Sequence, residues 1–333
     1  MNLKRILITG GTGTVGKALV AQLLSRYPNL GKIVIYSRDE QKHFSMATQF
    51  SPEKYPVQFM LGDVRDRERI MMACRGIDAV IHIAAMKHVP VSEHNPIECA
   101  KTNILGTQNV IDAAVLNGVE RVIALSSDKA VSPINAYGAS KLYLERLVLD
   151  ADRKYEAKFS IVRYANVFGS KGSVVPFFFE QKKHGFLPIT HPEMTRFSIT
   201  MQESLELILF AIENGWGGEI IVPISPSYRI LDVAEAVAPG IEKRIVGIRP
   251  GEKLHETMIG RYESTQTVRL DNKYILSSNT SGWDVEQYCL ETGAVRVEGE
   301  FEYESIGNDE WLSVEQIRRF ISGVYQEQPF GIL

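Results

Sequence analysis

Ile6-Leu7-Ile8-Thr9 runs straight into Gly10-Gly11-Thr12-Gly13-Thr14-Val15-Gly16, with glycine at the first, fourth and seventh loop positions. Few features restrict a fold more. A short aliphatic strand feeding a glycine turn that opens a helix is the phosphate-binding start of a parallel α/β sheet. Glycines permit a tight turn and close approach of backbone to a pyrophosphate, and the helix N-terminus adds partial positive charge. Gly10, Thr12, Gly13, Thr14, Val15 and Gly16 are the expected dinucleotide cradle.

The first half of the chain repeats that alternation. Strand-like runs at Arg5–Thr9, Lys32–Tyr36, Val57–Leu61, Ala79–Ile83, Arg121–Ser126 and Phe159–Tyr164 are separated by helical patterns. Those helices are expected over Lys17–Arg26, Asp66–Cys74, Asn103–Asn117 and Ala136–Ala151. Runs that are apolar on consecutive positions suit central strands buried on both faces. The expected class is α/β, a Rossmann-type doubly wound parallel sheet. The second half is broken by prolines, among them Pro176, Pro188, Pro223 and Pro250. Glu219–Val222 reads as one more strand returning to the sheet, and Ser204–Ile212 and Val314–Ile321 as amphipathic helices. The expected organisation is a dinucleotide domain over residues 1–165, rejoined by 219–235. A smaller, interleaved C-terminal substrate domain is expected over 166–333.

Composition narrows the partners. A net charge of -3 gives no general attraction to nucleic acid or acidic membranes, so an anionic ligand must be held locally. No apolar run approaches the ~18 residues that span a bilayer, and no targeting segment is apparent. Cys74, Cys99 and Cys289 are sparse and lack metal-type spacing, which fits a reducing compartment. A cytoplasmic protein is expected, with neither a nucleic-acid nor a membrane partner.

The end of the second strand reports the cofactor. An acid there would hold a ribose 2′-hydroxyl; here the stretch is Ser37-Arg38, with Lys42 close behind. A hydroxyl and a guanidinium fork suit a 2′-phosphate, so NADP is expected. Asp39 and Glu40 fall one position later, where a helix starts. Asp63 and Val64 close the third strand; the Asp63 carboxylate can accept from an adenine amino group or cap the following helix. Ala84 ends the fourth strand where a cofactor can lie close, and Lys87 just beyond can reach ribose or substrate oxygens.

Tyr137-Gly138-Ala139-Ser140-Lys141 supplies the chemistry. A Tyr and a Lys four apart stack on one helix face, where the ammonium can lower the phenol pKa from ~10 and make it a base for a hydroxyl proton. Ser127-Asp128-Lys129, just upstream, adds a further acid and base, more than simple alcohol oxidation needs. The surplus points to redox chemistry coupled to loss of water.

The glycine loop with Tyr137 and Lys141 resembles the extended short-chain dehydrogenase/reductase family. Within it, the string Ser126-Ser127-Asp128-Lys129-Ala130-Val131-Ser132-Pro133 through Tyr137-Gly138-Ala139-Ser140-Lys141 is similar to the inverting UDP-N-acetylglucosamine 4,6-dehydratases, which start the pseudaminic acid branch of bacterial glycan synthesis. Lys87-His88-Val89-Pro90, Arg163 through Val167, Gly172 through Pro176, Met194 through Phe197 and Gly247 through Glu256 share the likeness. Ser127 stands where Thr is usual and Ala165 where Gly is usual; both changes keep the catalytic groups.

The resemblance implies roles. Tyr137 takes the sugar 4-hydroxyl proton as C4 is oxidised, and Lys141 tunes Tyr137 and holds the nicotinamide ribose. Lys129, neutral beside a cationic cofactor, removes the C5 proton, and Asp128 protonates the departing 6-hydroxyl. Ser127 either bonds the 4-hydroxyl or local backbone. Arg249 and Arg196 meet the UDP diphosphate, Asn166 and Val174 line the pocket with Lys87, and Glu252 holds uracil or ribose. A homo-oligomer, dimer or hexamer, is implied as well. His82, His88 and His94 recur every six residues, which matches neither a helical nor a strand metal pair, so no metal is expected. The competing readings are a dehydratase/5-epimerase of L-fucosamine-type pathways, a UDP-sugar 4-epimerase, and a non-catalytic NADP sensor. The epimerase has no use for Asp128 and Lys129, and the sensor none for Tyr137 and Lys141.

Overall fold

The computed structural model describes residues 4–169, 173–277 and 283–326; Gly172 lies outside them. Six strands, β1 (Arg5–Thr9), β2 (Lys32–Ser37), β3 (Val57–Leu61), β4 (Ala79–His82), β5 (Arg121–Ser127) and β6 (Lys158–Tyr164), run parallel in the order 3-2-1-4-5-6. Their side chains alternate between two apolar layers. Ile6, Ile8, Ile33, Ile35 and Ile123 face one layer, with Leu19 and Leu23 of helix Thr14–Arg26 and Ile208 of helix Met201–Asn214. Leu7, Val34, Val80 and Val122 face the other, with Ile70, Val110 and Leu144 from helices 67–73, 106–116 and 136–154. Burial on both faces is why these strands read as continuous aliphatic runs.

Glu219–Pro223 pairs parallel with β6, as the sequence pattern predicts for a returning strand. The sheet then takes in more of the second half. Lys273–Ser277, Thr267–Leu270 and Val295–Arg296 add antiparallel, making ten strands. Buried Val268 and Ile275 extend the apolar layer there, a use that their short alternating runs did not announce. A separate cluster including Phe178, Leu187, Ile189, Tyr228, Val233 and Ile317 forms a third core outside the sheet.

Boundaries shift where tertiary contacts intervene. The helix expected from Asn103 begins regularly at Gly106, after a wide π-type turn over Lys101–Leu105. Asn103, fully buried, bonds Met86 backbone and the Ser140 hydroxyl there. Among the described residues no helix is long and apolar enough to cross a membrane.

Because β1 sends its successors to opposite sides, a crevice opens at the carboxyl ends of β1 and β4. The glycine loop, Ser37–Arg38, Ala84–Lys87 and Ser127–Lys129 all leave strands on that edge.

Candidate active site

The cradle is built from close approach. Gly10 has φ +68°, and a Cβ there would sit 2.8 Å from the Ala84 nitrogen, so the loop rests directly on the end of β4. A Cβ at Gly16 would lie 2.5 Å from the Gly11 carbonyl oxygen. Gly13 is the N-cap of helix Thr14–Arg26, with no side-chain cap and no acid in the first turn. Its N–H groups are thus left for an anion. Thr12 and Ser37 hydroxyls meet at 2.7 Å and tie the loop to the end of β2. Val15 packs partly into the core.

Asp39 caps helix Glu40–Gln49, accepting from the Lys42 nitrogen at 3.0 Å and pairing with the Lys42 ammonium. That capping engages Asp39 away from the ribose position and leaves Arg38 exposed there, 3.9 Å from Asp63. Asp63 accepts from the Arg65 nitrogen and guanidinium. Burial opposes its ionisation, but those bonds outweigh it and hold the carboxyl below its usual value. The following helix is capped instead by Asp66. Val64 turns its side chain into the core, and its carbonyl accepts from Asn109.

β5 ends at Ser127, and Asp128–Ala130 form one 3-10 turn. The Ser127 hydroxyl accepts from the Lys129 nitrogen and donates to Asp128 Oδ1 at 2.7 Å. The next helix, Ala136–Lys154, starts at Asn135, whose Oδ1 accepts from Gly138 N. Tyr137 and Lys141 are both buried. Burial pushes the Tyr137 phenol up to about 12, while the Lys129 ammonium and the Ser127 hydroxyl pull it down. Lys141, lowered to about 8 by burial, donates to the Leu125 carbonyl at 2.7 Å. Lys129 is thus a cation acting on the phenol that the Tyr137–Lys141 spacing does not reveal.

Lys129 itself differs from expectation. Burial works to remove its proton, but Asp128 at 3.1 Å and Glu256 at 3.4 Å outweigh it and hold the ammonium above the usual lysine value. The expected neutral amine is an ion pair in this arrangement, because two carboxylates face one cation.

A cleft of about 330 Å³ opens beside this pair. Lys87, Asn166, Arg196, Arg249 and Glu252 line it as the resemblance implied, whereas Val174 packs against the third core beside the lining Ser173. Arg196 donates to the carbonyls of Thr195, Lys253 and Leu254 and faces Glu252 and Glu256, so it also organises its own wall. His88, Asn135, Lys253 and Glu256 line the cleft without having been singled out as site residues. Two of them stitch the 249–256 loop over the catalytic turn. Asn135 donates to Gly251 O at 2.8 Å and Lys253 to Val131 O at 2.7 Å. Lys253 and Glu256 lie in the string Gly247 through Glu256 and His88 in Lys87 through Pro90, whereas Asn135 stands two positions before Tyr137.

His82 is buried between Thr9 and Thr107 hydroxyls, and burial, with Lys141, pushes its pKa to about 3. It is a neutral core histidine. Among the described residues no group of His, Cys, Asp and Glu could hold a metal ion.

The family model described as polysaccharide biosynthesis protein matches residues 6–278. An inverting UDP-N-acetylglucosamine 4,6-dehydratase of Campylobacter jejuni is 46% identical, over 96% of this chain and 98% of the relative. A UDP-glucose 4-epimerase of Rickettsia bellii is 38% identical, over 96% and 95%. The structure of DesIV, a dTDP-glucose 4,6-dehydratase from Streptomyces venezuelae with NAD and TYD bound, superposes with TM-score 0.67 at 25% identity, over 75% and 86%. With its glycine cradle, its Tyr137–Lys141 helix and these likenesses, the chain belongs to the polysaccharide biosynthesis protein family, among the extended short-chain dehydrogenase/reductases.

Proposed function

We propose that this chain is an inverting UDP-N-acetylglucosamine 4,6-dehydratase, a hydro-lyase that uses NADP. The observation that carries the reading is the Asp128–Lys129 pair, an acid and a base 3.1 Å apart, in the same cluster as Tyr137. The likeness at 46% identity supports the same substrate. Residues 1–165 with 219–235 would serve the dinucleotide, and 166–333 the sugar nucleotide. A cytoplasmic homo-oligomer, dimer or hexamer, completes the reading.

The residues fit the cofactor. The uncapped first turn of the helix, Thr14 through Gly16, offers open N–H groups to its pyrophosphate, and Ser37, Arg38 and Lys42 offer donors to a 2′-phosphate. When bound, NADP would accept the C4 hydride and return it to C6. Tyr137 first releases its own proton to solvent, which Lys129 and the positive charge of the bound nicotinamide would favour, and as phenolate it takes the 4-hydroxyl proton. The ketone so formed acidifies C5–H. Lys129 becomes a base by passing its proton to Asp128, which changes no net charge and produces amine and acid together. Lys129 then removes the C5 proton, and Asp128 protonates the departing 6-hydroxyl. Arg249, Lys87 and Arg196 provide the positive wall for the diphosphate, with Asn166 and Glu252 beside them.

Incubation with UDP-N-acetylglucosamine in deuterated water, followed by NMR, tests this. A 6-deoxy-4-keto sugar of L configuration with deuterium at C5 is expected. The relative named as a UDP-glucose 4-epimerase keeps one other reading in play. Change at C4 alone would establish that reading instead, and absence of turnover would leave a dinucleotide sensor.

A further inference from the structure

Glu256 is 2% exposed, yet its side chain faces the cleft. Its Oε1 lies between two cations, 3.4 Å from Lys129 Nζ and 3.6 Å from Arg196 Nε. Its Oε2 is buried and has no hydrogen-bond partner among the described residues. A carboxylate so placed needs a reason, because an unpaired buried oxygen is costly. Attachment of its strand does not supply one. The Glu256 backbone already does that work, donating to Ser305 Oγ at 3.0 Å and accepting from Ser305 N at 2.8 Å.

We infer that Glu256 is a positioning residue for the elimination step: it holds Lys129 Nζ against Asp128 and balances the positive charge that Lys129 gains on taking the C5 proton. The inference rests on the dehydratase reading above. In that step the C5–H electron pair passes into the 4-keto group as an enolate, and the proton joins the Lys129 nitrogen. The enolate pair then forms the C5–C6 double bond and expels the 6-hydroxyl, which leaves as water with the proton from Asp128. At that moment Asp128 regains its charge, but Lys129 is charged before it, with Arg196 close by. Glu256 is the anion that separates those two cations throughout. Relative to the amine–acid form that carries out the step, the transition state gains positive charge on Lys129 beside Glu256. Without Glu256 the Nζ is no longer held against Asp128, so loss of Glu256 slows elimination. C4 oxidation, in which Lys129 sits beside Tyr137 but gains no proton, depends on it less.

The test compares the wild-type protein, Glu256→Gln and Glu256→Asp, each loaded with NADP and mixed with UDP-N-acetylglucosamine. Absorbance of the reduced nicotinamide follows C4 oxidation, and NMR follows water loss. In Glu256→Gln, reduced cofactor should form and persist, with water loss slowed about tenfold or more beyond any change in C4 oxidation. Glu256→Asp, which keeps the charge, should recover part of the rate, and it carries the test alone if the Gln variant does not fold. Unchanged water loss in the Gln variant overturns the inference, as does an equal fall in both half-reactions. A wild type that never reduces its cofactor with this sugar rejects the dehydratase reading and the inference with it. A normal wild type beside an unaffected Gln variant rejects the inference alone.

Discussion

Gly138 lies so close to the carbonyl oxygen of Lys129 that a Cβ on it would collide with that atom. The first turn of the tyrosine helix is thereby pressed onto the 3-10 turn carrying Asp128 and Lys129. Phenol, acid and base are fixed relative to one another through backbone packing, with Asn135 capping the same turn at Gly138 N. Gly138→Ala must push helix and turn apart. A loss of about 1–3 kcal/mol is expected, together with a fall in turnover at unchanged NADP affinity. Thermal unfolding and a cofactor titration measure both; wild-type melting and turnover would show that the contact is not tight.

Lys129→Ala removes the base while leaving the cradle untouched. Water loss should fall by about a hundredfold or more, with NADP binding intact. Dehydration at the wild-type rate in that variant would rule out Lys129 as the essential base.

Arg38 is exposed beside Ser37, and among the described residues its ion-pair partner is a distant one, Asp63 at 3.9 Å. If it holds a 2′-phosphate, Arg38→Ala should weaken NADP about tenfold and leave NAD nearly unaffected. Equal weakening of the two dinucleotides, read by calorimetry, would remove Arg38 from cofactor selection.

Glu219 starts the strand beside β6, and burial pushes its carboxyl up to about 7. Ser160 donates to its Oε1 at 2.6 Å, and Oε2 has no partner among the described residues. The folded chain holds this proton where the unfolded chain has released it. Stability should therefore fall as pH rises from the ordinary glutamate value, 4.5, to about 7, and then level off. Glu219→Gln should flatten that slope and raise stability at pH 8 by on the order of 2 kcal/mol. Urea melts across this window that keep the wild-type slope would show that another group carries it.

Much of the fold was legible because parallel strands buried on both faces must be aliphatic throughout. Ile6-Leu7-Ile8 and Ile33-Val34-Ile35 can be little else. Val268 and Ile275 were harder to place. They lie in short antiparallel pieces whose alternation suits many sheets, and only pairing beyond Glu219–Pro223 shows which one. In the site, Tyr137, Lys141, Asp128 and Lys129 were visible through spacing within a single turn or loop. Glu256 was not, because it lies 127 positions from Lys129 and no local pattern links them.

The sequence by itself determined the glycine cradle, the strand order's parallel character and the identity of the reactive groups, since each follows from neighbours within a few residues. Only the tertiary structure decided their charge. Which cation acts on Tyr137, why Lys129 keeps its proton and where Arg196 directs its guanidinium depend on carboxylates and carbonyls brought from distant segments into a site with little water. At such distances and in such burial, a neighbour's charge outweighs any preference the residue carries alone.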